Sequence, residues 1–356
     1  MLLVLNTGSS SIKAALFDRD LTEVLGGKVT GIGQAQGARL RLGATDAAID
    51  APDHETGLAA MLDALGREGA GDITAAAHRI VHGGAALTRP VRLTPEVIGV
   101  IEDNVPLAPL HNPPGLAGIR AMATARPDLP QYASFDTAFH ATQSELATTY
   151  AIPRSYRDEG IRRYGFHGLS YAGMVDQFGD ALPKRLLAMH LGAGCSLCAI
   201  RDGKSVCTSM GYSPLSGPTM ATRSGDIDGM AVLRLAREHG IDEATRRLNT
   251  ESGLRGLAGT ADMKTLLDSD SEDAAFAVEH FVWSVLRVGG GLIAVMGGVD
   301  ALAFTGGIGE NSAEIRQRIT DGFAWLGDIP VHVIPAKEER QIARDAWSLI
   351  SDAADR

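Results

Sequence analysis

The chain has 356 residues, 45% hydrophobic and 21% charged, a globular composition spread over more length than one compact core takes, which predicts two domains. Its formal charge of -10 argues against nucleic acid or an anionic membrane as main partner, since both need an electropositive footprint, but leaves room for a small anion in a cleft. No stretch approaches ~18 uninterrupted apolar residues and Met1–Asn6 has no basic n-region, so the expectation is a cytoplasmic protein without a membrane span.

The first element is an apolar strand from Leu2 that breaks at Asn6-Thr7-Gly8-Ser9-Ser10-Ser11-Ile12-Lys13 and resumes to Asp18. This is no Walker A loop, because the Gly-Lys-Ser/Thr ending before a helix is missing. Two readings stand: an ordinary serine-rich hairpin, or a phosphate turn. In the second, glycine permits the turn, hydroxyls and backbone N–H groups take phosphate oxygens, Lys13 adds charge and Asn6 reaches a metal ion or its water. Glu55–Glu68 then sets Leu58, Met61, Leu62 and Leu65 on one helical face. The strand Ile73–Val81 ends in His78-Arg79-Ile80-Val81-His82-Gly83-Gly84, and Thr94-Pro95 and Asn112-Pro113 each place a capping side chain before a proline. Tyr132–Phe135 is a strand ending at Asp136, and the domain boundary is expected near Ala151-Ile152-Pro153.

The first hairpin repeats. Leu2 to Gly8 lies over Leu186 to Gly192, Ala14-Ala15-Leu16 over Cys198-Ala199-Ile200 and Asp18 over Asp202, at one constant offset. In the second copy Asp202-Gly203 is a strong hairpin turn into a third strand, Lys204–Ser209. Val278, Phe281, Val282, Val285 and Leu286 stripe a long helix, and the strand Ala301–Thr305 breaks into Gly306-Gly307-Ile308-Gly309-Glu310-Asn311, where Asn311 and Glu314 form a capping-box pattern. Glycines at such a helix start suit an anion, although a plain strand-to-helix turn explains them as well. The segment Lys337–Asp352 reads as a helix returning to the first domain. The expected domains are therefore 1–150 with 337–356, and 151–336, in a mixed α/β architecture. Cys195, Cys198 and Cys207 form no disulfide framework and no complete zinc set, and read as small buried hydrophobes.

Seven blocks, Asn6 to Lys13, His78 to Gly84, Ala108 to Pro113, Phe135 to His140, Tyr164 to Gly168, Thr222 to Asp228 and Gly307 to Asn311, together resemble the successive signatures of the acetate kinase family, in that family's order and over nearly the whole chain. The resemblance implies membership of the sugar kinase, heat-shock protein and actin superfamily: two duplicated actin-like (ribonuclease H-like) α/β domains around a central nucleotide cleft. It implies reversible transfer of the ATP γ-phosphoryl group to acetate, giving acetyl phosphate and ADP, with Mg²⁺ or Mn²⁺ and a homodimer formed through the second domain.

The same resemblance distributes roles. Arg79, Asp136, His167 and Arg223 match the catalytic set; the arginines would hold carboxylate and phosphoryl oxygens, and His167 would donate a hydrogen bond to the transition state. Asp136 would orient an arginine or the metal region. Val81, Leu110, Phe166 and Pro214 match the acyl pocket. Ser9, Ser11, Lys13, Gly192, Gly194, Asp262, Lys264, Gly307, Ile308, Gly309 and Asn311 match nucleotide-binding positions; Asn6 and Glu338, with Glu339 as the adjacent alternative, match the metal site. This chain departs from the family in three places: Ala193 replaces the asparagine of Gly-Asn-Gly, Lys264 an arginine near the adenosine site, and Leu169 and Tyr171 interrupt a His-Gly-Thr-Ser-His run. The alternatives are a propionate or butyrate kinase, a kinase with another phosphoryl donor, or an actin-like nucleotide-binding regulator without turnover.

Overall fold

The computed structural model describes residues 1–354 and divides into two compact units, Met1–Phe139 with Lys337–Arg356, and His140–Ala336.

In the first unit the strands are β1 Leu2–Gly8, β2 Ser11–Phe17, β3 Glu23–Thr30, β4 Ala38–Leu42, β5 Thr45–Ile49, β6 Ala75–Ile80, β7 Val91–Arg92 and β8 Gln131–Phe135. They form one sheet in the order β5-β4-β3-β2-β1-β6-β8-β7. The β3-β2-β1 part is antiparallel, and β6 and β8 join β1 in parallel. Both faces are covered, so β1 is a nearly continuous apolar run and its alternation selects between two buried sides. Leu3 and Leu5 face a core with Leu58, Met61 and Leu65 of the helix His54–Arg67 and Met122 of the helix Asn112–Ala125. The C-terminal helix Glu338–Ala354 packs on β1, β6 and β8, and Ser134 of β8 donates to its Asp345 at 2.8 Å. Ser134 alternates with Ala133 and Phe135, which belong to the core under Ile119, so this helix covers the opposite face. Arg79 pairs in register with Ser134 and therefore points to the C-terminal helix.

The second unit has β9 Arg185–Leu191, β10 Cys195–Arg201, β11 Lys204–Thr208, β12 Ala301–Thr305 and β13 Val331–Val333, in the order β11-β10-β9-β12-β13. Here too three antiparallel strands are extended by two parallel ones. This order and these directions equal β3-β2-β1-β6-β8, so the repeat read from the hairpins is a repeat of the whole sheet. The copies differ at the first turn. β1 pairs Leu2 with Phe17 across the two-residue loop Ser9-Ser10, whereas β9 pairs Leu186 with Ile200 across Gly192-Ala193-Gly194, a register slipped by one residue. Asp202 and Gly203 both have positive φ (51° and 76°), as the tight hairpin into β11 requires.

Several expectations are corrected. The division falls at Phe139/His140, ahead of Ala151, because His140 is tied into the second unit by Ser205 Oγ and the Phe166 carbonyl, both at 2.9 Å; Pro153 only caps the short helix Arg154–Asp158. Asn112 does not cap its helix: its amide clamps the backbone N–H and C=O of His82, each at 3.0 Å. Nor does Asn311 cap the following helix. Ser312 does so by accepting from Ile315 N, and Asn311 donates back to the Gly307 carbonyl. The helix Glu272–Met296 is long and apolar enough to cross a membrane by length and composition; its apolar character is accounted for by Val278, Phe281, Val282 and Val285, buried in the second unit.

Candidate active site

In the first unit the ends of β6 and β8 bring Arg79 and Asp136 together. The guanidinium faces the carboxylate through Nε, at 3.2 Å from both oxygens, and through Nη2 at 2.7 Å. Its third nitrogen, Nη1, lies 3.4 Å from Glu338 Oε2 at the start of the C-terminal helix. The side chains are 20% exposed for Arg79 and 2% for Asp136. Burial opposes the Arg79 charge, but Asp136 and Glu338 outweigh it and raise the pKa further; burial pushes the Asp136 carboxyl up while Arg79 holds it down, and the bidentate geometry keeps the two as an ion pair. Glu339 is committed elsewhere, 2.7 Å from Lys13 Nζ. Asn6 shares the sheet face of Lys13, its register partner.

Among the described residues no three His, Cys, Asp or Glu gather as a metal cage. The donors Asn6 and Glu338 are nevertheless hard oxygens on the side of the sheet covered by the C-terminal helix. A Mg²⁺ ion needs few protein ligands, because it keeps waters and substrate phosphates, so this donor set fits it.

The turn Ser9-Ser10 is held from outside its own hairpin. His54 Nε2 lies 2.8 Å from the Gly8 carbonyl, and Ser10 O accepts from Ile32 N. His54 has no local sequence signal, standing far from the turn in the chain. The histidines beside the motif arginines are structural in setting: burial lowers His78, His82 and His140 to about 4, leaving them uncharged near neutrality. Burial likewise pushes the Cys195 thiol up to about 12, in keeping with a packed side chain.

In the second unit His167 sits at the start of the helix Gly168–Phe178 in the left-handed region (φ 58°) and stacks on His190, centroids 4.1 Å apart. Its Nδ1 lies 2.9 Å from Ser196 Oγ of β10. A Cβ on Gly194 would lie 3.2 Å from His167 Nε2 and 3.4 Å from Arg223 Nη1, so glycine here lets both groups converge on one point. Arg223 is mostly buried, and among the described residues it has no carboxylate partner. Nη1 donates to the Pro214 carbonyl at 3.1 Å, and burial lowers its pKa.

A cavity of about 840 Å³ in the second unit collects Gly192, Asp262, Lys264, Gly307, Ile308 and Asn311, with Ala193, Thr222 and Met263. Its size and mixed lining suit a nucleotide-sized ligand. Gly194 and Gly309 do not line it. Asp262 caps the helix Met263–Leu267 by accepting from Lys264 N, and Glu310, which the sequence reading left without a role, fixes the glycine turn by accepting from Gly306 N and Ala336 N, both at 2.9 Å. Of the acyl-pocket positions, Val81 and Leu110 belong to the first unit and Phe166 and Pro214 to the second; Leu110 is 58% exposed, whereas Phe166 is 1% exposed and presents no open face.

The duplicated sheet, with an arginine–carboxylate cluster in one copy and a glycine-bordered cavity in the other, defines a protein of the duplicated actin-like α/β class. The acetokinase family profile matches residues 1–349, and the chain belongs to that family. It is 40% identical to the acetate kinase of Methylocella silvestris over 99% of this chain and 98% of the relative, and 41% identical to that of Rhizobium meliloti, covering 98% of each. The first alignment runs over 399 positions, more than this chain has residues, so the relative carries segments that are absent here. Among solved structures, Porphyromonas gingivalis acetate kinase superposes with a TM-score of 0.89 at 32% identity, covering 98% of this chain and 99% of that one. A propionate kinase from Francisella tularensis superposes with 0.92 at 33% identity, covering 97% and 98%. The chain is accordingly a kinase, a phosphotransferase.

Proposed function

We propose that the chain transfers the γ-phosphoryl group of ATP reversibly to acetate, forming acetyl phosphate and ADP. The observation that carries this reading is Arg223, a mostly buried guanidinium without an acidic partner among the described residues, beside His167 Nε2 at the bare face of Gly194. Charge of this kind, kept out of water and unneutralised, is suited to an anion that arrives with the substrate. The acceptor carboxylate is already ionised, so no base is needed; the barrier is the repulsion between two anions, which positioned positive charge lowers. Arg79, held rigid by Asp136 and Glu338, would present its remaining donor surface to the acceptor. His167 would donate from Nε2 to the transferring phosphoryl group, and the backbone at Gly192 and Gly307 would line the nucleotide. Asn6 and Glu338 would hold Mg²⁺, which supplies charge neutralisation and alignment of the phosphate chain.

The homodimer belongs to this reading. Phe276 and Trp283, seven residues apart on one helix of the second unit, are 56% and 57% exposed, an apolar stripe of the kind that pairs subunits. A cytoplasmic setting is part of the same proposal, since acetate and ATP are cytoplasmic metabolites.

Trapping acyl phosphate with hydroxylamine tests the reaction, with acetate, propionate and butyrate as acceptors and ATP, GTP and pyrophosphate as donors. Hydroxamate is expected with acetate and ATP, and the variant Arg223→Ala is expected to lose at least roughly a hundredfold in kcat, the scale of losing one charge-stabilising donor. Folded protein with Mg²⁺ that yields no hydroxamate in any combination overturns the reading.

A further inference from the structure

Tyr171 is fully buried on the inner side of the helix Gly168–Phe178, and its hydroxyl lies 2.6 Å from Ser196 Oγ. Ser196, equally buried, is 2.9 Å from His167 Nδ1 on its other side. The direction of this chain follows from the two hydroxyls. A phenol O–H is more acidic than a serine O–H and its ring-conjugated oxygen accepts more weakly, so across the 2.6 Å contact the Tyr171 proton goes to Ser196 Oγ. Ser196, having accepted, turns its own proton to His167 Nδ1. An imidazole that accepts at Nδ1 carries its proton at Nε2, the atom that faces Gly194 and Arg223. His190 supports the arrangement twice, since its ring stacks on His167 and its Nδ1 is fixed 2.9 Å from Ser170 Oγ.

We propose that Tyr171 is a positioning residue for phosphoryl transfer, locking His167 through Ser196 in the tautomer that presents an Nε2–H donor. This rests on the proposed role of His167, and it explains why a phenol suits position 171: of the two hydroxyls it is the stronger donor. Tyr171 touches no reacting atom. Its effect is to remove the alternative in which Ser196 accepts from an Nδ1–H and Nε2 faces the substrate as a bare lone pair, repelling phosphoryl oxygen.

The direct test is nitrogen NMR of the full-length protein labelled at histidine, with the His167 signals assigned by difference against His167→Gln. The wild type is expected to show Nδ1 unprotonated and Nε2 protonated at neutral pH. In Tyr171→Phe the two forms should mix, and kcat should fall roughly tenfold or more, the lower end being the scale for losing a hydrogen bond that orients a metal-bound histidine, with the KM for acetate nearly unchanged. Ser196→Ala should do the same, and the double variant should be no worse than Ser196→Ala alone, because one pathway carries both effects. Additive losses, or a pure Nε2–H tautomer retained in Tyr171→Phe, overturn the proposal. A wild type with Nδ1–H overturns it even if neither variant folds. The NMR readout does not depend on turnover, so absence of acyl phosphate would sink the proposed reaction while leaving the relay separately measurable.

Discussion

Arg79 and Arg223 carry the same group into different electrostatic settings. Arg79 meets Asp136 and Glu338, so its charge is neutralised locally and its plane is fixed. Arg223 has backbone and thioether neighbours, the Pro214 carbonyl and Met220 Sδ, and among the described residues no carboxylate beside it. The arginines are thus complementary in kind: one is an oriented edge, the other an uncompensated cation. At the glycine-bordered cavity, Ala193 contributes a methyl where an amide side chain would add a hydrogen bond to a bound nucleotide. One such bond is worth about 1 kcal/mol net. Ala193→Asn is therefore expected to lower the KM for ATP roughly fivefold with little change in kcat, and steady-state kinetics with an unchanged KM would remove Ala193 from the account of nucleotide affinity.

The C-terminal helix is the element that joins stability to the site. Its first residues, Glu338 and Glu339, meet Arg79 and Lys13; its middle buries Ile342, Ala343 and Ala346; and Trp347 Nε1 donates to the Asp18 carbonyl at 2.9 Å, anchoring it to the end of β2. Asp345, in the same stretch, has its carboxyl pushed up to about 6 by burial, against hydrogen bonds from Ser134 and Gln341. A raised carboxyl pKa means that the unfolded chain ionises first. Stability is fully present below the ordinary value of 3.8, is lost as pH rises from there to about 6, and stays at its lower level above. At about 1.4 kcal/mol per unit the loss is at most about 3 kcal/mol. Asp345→Asn, which keeps an acceptor for Ser134, should raise the urea midpoint at pH 7 and leave it unchanged near pH 3.5. An equal gain at both pH values would show that the effect is packing, with no part played by ionisation.

Across the whole molecule, one sheet topology is used twice with different fittings. The first copy adds β4, β5 and β7 and carries charged groups on strand ends; the second keeps five strands and gathers a cavity at its glycine turns. The exposed stripe of the second unit leads to an expectation about assembly: light scattering should give a dimer mass, and Trp283→Glu should shift it toward the monomer, since a buried carboxylate without a partner is costly. A wild-type monomer at micromolar concentration would refute the dimer. What the sequence determined alone was local or repetitive. Short apolar runs broken by polar or glycine turns placed β1, β8 and β12, the Asp202-Gly203 pair fixed its turn through φ, and the repeated hairpin announced two similar units, because each signal lies within a few neighbouring residues. Tertiary structure decided what depends on partners distant in the chain. It gave Glu338 to Arg79 and Glu339 to Lys13, turned Asn112 from a cap into a clamp on His82, moved the division of the chain to Phe139, and set Tyr171, Ser196 and His167 in line. Hydrogen-bond and charge partners are chosen by proximity in the folded chain, and no spacing along the sequence encodes it.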